Sequence, residues 1–472
     1  MCVRSSCTGD DRLCQVIMLP VLKSRCCSNY IPNKANSVSV PLVANLRQFG
    51  YRLLSAPYEL IFKEEMGGEA QRFFVSTSQV AVGTLAGALV TLVFSIIAAR
   101  ALGPDEFGSF SIMVTVSVIL AVLMGLSMVP MIKYASGAQN DAIRVRIIST
   151  SSVQIALLTA ALTAIYVLLT PQLSRLFGIS SALFLFSIAY TVISAFFALM
   201  MSPLRILSRM KVYALANAFQ SVILLAVFLA FLSDDMRSWQ VAAYSSYVSY
   251  AVIGLILVVY LRTYLRLQFD RFWAKKIINY SLFAAPGAFA AAFLGVDRLL
   301  INAFTTTANV GIYNAYFLPS ITVALMLWGI FNASFFPYAS KSSDREALFR
   351  KINRAVPYLA VSLVPSIVFL EFAAFIFYGS RYPFSWEIAF FFAIAAVIVV
   401  VDESYASLAG SVGTSGAKVV TISSVLALAV LISVDVVLIP LIGISGAALT
   451  LIFANLAPTA YLYSKRSILV RS

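Results

Sequence analysis

From about residue 73 onward the chain reads as long apolar runs separated by short polar interruptions. Twelve runs are long enough for a helix of roughly 20 residues to cross about 30 Å of hydrocarbon. They are 75–99, 107–132, 147–170, 176–201, 212–232 and 239–261, then 277–304, 310–336, 355–378, 385–409, 418–440 and 443–463. The runs are continuous rather than alternating, which predicts helices and not barrel strands. The sharpest interruption is "AARALGPDEFGSFS" at 98–111, where Arg100, Asp105 and Glu106 gather around Gly103 and Pro104. Gly-Pro stops one helix, and the two acids complement the dipole at the start of the next.

This hairpin has a second copy. Residues 297–313 read "DRLLINAFTTTANVGIY". Arg298-x-Leu300 repeats Arg100-x-Leu102, and "NVGIY" repeats "EFGSF", with Gly108 and Gly311 separated by 203 residues. The second copy carries "TTTAN" in place of the Gly-Pro-acidic turn. The ends of spans 4 and 10 also correspond, "LSRMKVYALANAFQSV" (207–222) against "GTSGAKVVTISSV" (413–425). The expected fold is therefore an all-α integral membrane protein of about twelve transmembrane helices. They form two six-helix bundles, 73–264 and 265–472. Six is even, so the repeat is parallel, about an axis along the membrane normal, with a substrate path expected between the halves. Residues 1–72 form a polar extension, read as a disordered tail or as a start that truly lies at Met66. The short run "CQVIMLPVL" (14–22) contains a proline and lacks a signal-peptide cleavage site.

Composition agrees. Hydrophobic residues make up 61% and charged residues 11%, against roughly half and a quarter in a soluble domain. The net charge of +14 is a topology signal here, not a nucleic-acid footprint, because no basic soluble module carries it. With the N-terminus inside, the inner loops and tail hold twenty Lys and Arg and the outer loops hold four. This predicts both termini on the cytoplasmic side of the cell membrane. Histidine is absent, which excludes Ser-His-Asp triads and His-ligated metals. All five cysteines lie between Cys2 and Cys27 without a CxxC pair. No enzyme chemistry, cofactor or metal site is expected. "GSVGTSGAK" (410–418) lacks the adjacent Gly-Lys-Ser/Thr of a phosphate loop and follows no strand.

"ARALGPDEFGSFS", "DRLLI…NVGIYNAYF", "LSRMKVYALAN" and "IPLIGISGAALT" (439–450) resemble, in order and position, the Wzx-type lipid-linked oligosaccharide flippases. These are the polysaccharide-export branch of a superfamily that includes MATE multidrug exporters and peptidoglycan-precursor flippases. The resemblance covers roughly 73–465, and departs at the extension, at Ser445 and at "TTTAN". It implies a MATE-like transporter that moves a polyprenyl-(pyro)phosphate-linked oligosaccharide between leaflets by alternating access. The partners it implies are that lipid-linked glycan, membrane lipids, Na⁺ or H⁺, and glycan-assembly enzymes. The rival reading is a MATE-like Na⁺ or H⁺ antiporter exporting cations or drugs.

Moving phosphate through hydrocarbon calls for a cation and hydrogen-bond donors, and Arg offers a planar, permanently charged fork. Arg298 is the first candidate and Arg100 its repeat equivalent. Asp297 precedes Arg298, and since adjacent helical residues face apart, each is expected to have its own partner. Asn217, Tyr313 and Asn314 complete the candidate substrate site. Further polar residues on the spans include Gln154, Gln220 and the series Tyr244, Tyr247 and Tyr250. Arg205, Arg209 and Lys211 could receive phosphate at the inner mouth. In-span acids fall only in the second half: Asp297, Glu371, Glu387, Asp402, Glu403 and Asp435. Buried carboxylates mark ion paths by default, so Asp402, Glu403 and Asp435 are the expected ion-coupling residues. Pro286-Gly287 and Pro319 are the expected kinks.

Overall fold

Every apolar run is helical in the computed structural model, which describes residues 68–467 apart from 234–235, 267 and 342–343. The extension up to residue 67, with Met66, lies outside the described residues. The first bundle contains α1 (Gly68–Leu102), α2 (Pro104–Gly125), α3 (Met128–Ser136), α4 (Asp141–Leu168), α5 (Thr170–Leu176), α6 (Ser181–Ile206), α7 (Met210–Ser233) and α8 (Trp239–Tyr260). The second contains α9 (Arg271–Phe293), α10 (Asp297–Phe304), α11 (Thr307–Phe317), α12 (Val323–Lys341), α13 (Arg345–Tyr378), α14 (Trp386–Gly410), α15 (Thr414–Ile442) and α16 (Ile444–Ser464). Among the described residues, eleven helices are long and apolar enough to span a bilayer. A bent pair, Ala285–Phe293 with Asp297–Phe304, makes the twelfth. This is a multi-pass membrane protein.

Short turns join consecutive spans, so the helices run up and down. The end carrying the turns at 103, 305–306 and 443 is called here the turn end, and the opposite end, with most of the cations, the basic end. The two copies of the hairpin start their helices with different chemistry. Gly103 caps α2 with φ 82°, and Pro104 fills the first helical position, where a missing N–H costs nothing. Thr306 caps α11 from an extended backbone, and its Oγ1 accepts from Asn309 N at 3.3 Å. Pro104 and Thr307 nevertheless occupy equivalent places, and α2 and α11 meet where Gly108 faces Gly311.

The kinks differ from expectation. Pro286 sits inside α9, while the 42° bend falls beyond it, between Phe293 and Asp297. Pro319 lies in a π-helical turn, Leu318–Thr322, between α11 and α12. There the missing N–H and the bulk of the ring widen the turn.

At the turn end one apolar core runs through both bundles, from Phe107 and Ile112 of α2 to Tyr313 and Tyr316 of α11 and Phe392 of α14. Toward the basic end it divides. Met131, Ile147, Leu204 and Leu257 centre one core, drawn almost wholly from the first bundle. Trp328, Phe335, Phe349 and Leu408 centre another in the second. The core is thus common to both bundles at the turn end and divided at the basic end, where α9 packs on the first bundle through Ile277 and Trp273.

Candidate functional site

The bend in the seventh span creates the site. Because α10 begins anew at Asp297, its first N–H groups lack intrahelical partners. Asp297 Oδ1 accepts from Arg298 N at 2.8 Å and from Arg298 Nη1 at 3.2 Å. The expectation that these neighbours would find separate partners is therefore corrected: side chains one residue apart diverge inside a helix, but a first-turn carboxylate folds back over its own terminus. Tyr313 OH donates to the other oxygen, Asp297 Oδ2. Arg298 Nε and Nη2 both donate to Asn314 Oδ1, at 3.3 and 3.4 Å. The guanidinium lies 4.1 Å from the ring centroid of Phe317. Asp297 is 1% exposed and Arg298 8%. Four expected substrate residues, Asp297, Arg298, Tyr313 and Asn314, thus converge in one buried network. Phe317 was missed by sequence reasoning, although it lies one turn beyond Tyr313 and Asn314 on the same face.

Asp435 joins this group. It lies within electrostatic reach of Asp297 and Tyr313 and beside Thr450. It is 0% exposed, and neither carboxylate oxygen has a hydrogen-bond partner among the described residues. Glu371, also 0% exposed, has two orphaned oxygens as well; Tyr316 and Tyr378 stand near it. Asp297, Glu371 and Asp435 each sit seven residues from the turn end of their helices, about 10 Å deep at 1.5 Å per residue. Asp402 is sixteen residues down α14, about 24 Å from the turn end. There Thr459 Oγ1 donates to its Oδ1 at 3.2 Å, and Glu403 is its neighbour. The expected ion-coupling trio is thus two separate places, Asp435 beside Asp297 and Asp402 with Glu403 deeper in.

Arg100 and Asn217 do not join the network. Arg100 is exposed at the end of α1, where its Nη1 donates to Phe377 O at 3.4 Å. Asn217 donates to Tyr213 O of its own helix at 3.2 Å and packs near Gly87 of α1. Other polar span residues are spent on helix packing. Gln220 donates to Ser249 Oγ (3.0 Å), Gln154 to Ala274 O (3.1 Å) and Tyr247 to Phe186 O (2.7 Å). Arg209 is engaged by Tyr260, as donor and over its ring. At the turn end the bundles are tied together by Tyr382 OH donating to Ala99 O at 2.9 Å and by Asn302 Nδ2 donating to Gly178 O at 3.4 Å. Burial pushes the Tyr382 phenol above its ordinary range, so it remains a donor at any physiological pH.

The geometry is a buried cation held by one carboxylate and one amide, next to a carboxylate without a partner. Comparison with known proteins gives the family and the fold. A family model described as "Polysaccharide biosynthesis protein" matches residues 75–343. No curated protein matches the chain. Among solved structures, an inward-facing multidrug resistance MATE family transporter of the MOP superfamily aligns with TM-score 0.63 and 14% identity, over 82% of this chain and 98% of that one. An outward-facing MATE structure aligns with TM-score 0.57 and 13% identity, over 83% and 95%. A MATE transporter in the straight conformation gives 0.55 and 13%, over 87% and 97%.

Proposed function

The chain belongs to the polysaccharide biosynthesis protein family, and from that premise we propose that it is a flippase for a polyprenyl-(pyro)phosphate-linked oligosaccharide. Family and fold are those of a membrane transporter, not an enzyme. The observation that carries the finer reading is the family match, which spans the first bundle and reaches the end of the eighth span. The buried Arg298 supports it, since a guanidinium on an aromatic floor suits a phosphate better than a cationic drug.

In this reading the chain lies in the cell membrane with both termini cytoplasmic and the turn end outside. The bundles share one core at the turn end and have divided cores at the basic end, where α9 remains packed on the first bundle, as a transporter closed to the outside would be. Substrate phosphate entering between them competes with Asp297 for Arg298. Asp297 and Asp435 are then left as two adjacent buried carboxylates, which favours uptake of Na⁺ or H⁺. Exchange of that ion couples the two events. The prenyl tail remains in lipid, and glycan-assembly enzymes supply and consume the glycan.

The test is a strain lacking the gene and any redundant flippase, in which lipid-linked oligosaccharides are quantified in each leaflet. Accumulation on the cytoplasmic side, reversed by wild type and not by Arg298→Ala, is the expected result. No accumulation overturns the proposal. It would favour the second reading, a MATE-like cation or drug antiporter, for which the three carboxylates at one depth against a single arginine speak. Drug and Na⁺ fluxes would then be measured.

A further inference from the structure

A cluster outside the Arg298 network takes no part in the mechanism above. At the basic end, α3 of the first bundle touches α9 of the second. Lys133 Nζ lies 4.3 Å from the ring centroid of Tyr280 and 5.9 Å from that of Tyr134. Lys276 Nζ lies 4.7 Å from the same Tyr134 ring and 5.0 Å from Trp273. The Tyr134 ring is 6.0 Å from Trp273 and 6.1 Å from Tyr280. Trp273, Lys276 and Tyr280 stand at i, i+3 and i+7, one face of α9. Two ammonium groups, one from each bundle, therefore share one aromatic floor.

Among the described residues no carboxylate answers them. Asp270, the acid that starts α9, accepts from Phe272 N and Trp273 N at 2.9 and 3.3 Å and pairs with Arg146 at 3.4 Å. Asp141 pairs with Arg144. Among the described residues, neither lysine makes an ion pair, and both are exposed. Each ring contact contributes only about 0.5–1 kcal/mol at an exposed site, and two like charges brought to one ring repel. An anion lying between them would offset that repulsion. Its depth supplies the class of anion. Trp273 lies just ahead of the apolar run 277–304 and Tyr280 within its first turn, at the basic end, where Trp and Tyr belts mark the headgroup layer.

We propose that Lys133 and Lys276, floored by Tyr134, Trp273 and Tyr280, bind the phosphate of an anionic lipid headgroup. Lysine binds phosphate as a point charge, and the apolar faces of the rings accept the lipid beside it. Because one lysine belongs to each bundle, a bound headgroup holds α3 against α9 and favours the arrangement described here. The site requires the chain to be in a membrane, not that it flips a glycan. Its failure and the failure of the flippase reading are thus distinguishable.

The experiment is native mass spectrometry of the full chain released from nanodiscs. The nanodiscs hold phosphatidylcholine with an equal, small share of either phosphatidylglycerol or undecaprenyl phosphate. Wild type is expected to retain the phosphate-bearing lipids over phosphatidylcholine. K133Q/K276Q should retain about tenfold less or lower still, since each cation near the surface contributes on the order of 1 kcal/mol. K133R/K276R should restore retention, and K275Q/K418Q, with the same charge loss at the same end, should behave as wild type. Preference for undecaprenyl phosphate over phosphatidylglycerol would identify the cargo lipid as the occupant, and the reverse a lipid of the bilayer. Equal retention by K133Q/K276Q and K275Q/K418Q overturns the site, as does equal retention of phosphatidylcholine by wild type.

Discussion

Gly108 and Gly311 face each other across the junction of the two bundles, and each leaves room for the other's helix. A Cβ on Gly108 would lie 2.0 Å from Thr307 O, and a Cβ on Gly311 would lie 2.0 Å from Pro104 O. The two contacts are the same contact seen from either side, since Pro104 and Thr307 are related by the same 203-residue offset as the glycines. Backbone meets backbone, so no side chain can move aside. The hairpin's function is thus structural: it starts each central helix and brings both helices together at the turn end.

Gly108→Ala and Gly311→Ala should therefore destabilise by similar amounts, about 1–3 kcal/mol each. The double variant should lose less than the sum, because a separation forced by one methyl accommodates the other. Gly329→Ala, where a Cβ meets nothing within 4 Å, should be neutral or stabilising. Melting curves of the detergent-solubilised protein check all four.

Removing one partner of the Asp297–Arg298 pair leaves the other buried and uncompensated, at a cost of about 3–5 kcal/mol. Asp297→Asn and Arg298→Gln should each lower the melting temperature sharply, and the double variant should recover part of the loss. Arg298→Lys should not substitute, since an ammonium cannot reproduce two bonds to Asn314 together with the stacking on Phe317. A double-mutant cycle without positive coupling would refute the pairing.

The orphaned carboxylate of Asp435 costs stability in the state described. Asp435→Asn should therefore melt at or above the wild-type temperature, since removing a charge without a partner removes a desolvation penalty. If the carboxylate also serves the proposed coupling site, the difference between melting in sodium and in choline buffer should disappear with it. Asp402→Asn, at a different depth, should leave that difference intact.

Glu106 Oε2 accepts from Trp239 N at 2.7 Å and so caps α8 from the start of α2. Glu106→Ala leaves that N–H without its acceptor and should cost about 1–2 kcal/mol. Glu106→Gln should fall between, keeping an acceptor and losing the charge. Thermal melting distinguishes the two.

The sequence by itself determined the twelve spans, their up-and-down order and the duplicated hairpin. The bilayer imposes a length, and length is legible in one dimension. It also named Asp297, Arg298, Tyr313 and Asn314 as candidates on either side of one short turn, without pairing Asp297 with Arg298. Only the tertiary structure decided the rest. The bend falls at 294–296 and not at Pro286 because packing across the bundle sets where a span yields. That bend makes Asp297 the first residue of a helix and so turns its carboxylate onto Arg298. Asp435 reaches the network, while Arg100 and Asn217 stay apart from it. Lys133 meets Lys276 across the bundle joint, 143 residues away along the chain. Such meetings depend on the rotation of each helix about its axis, and that rotation is set by neighbours distant in sequence.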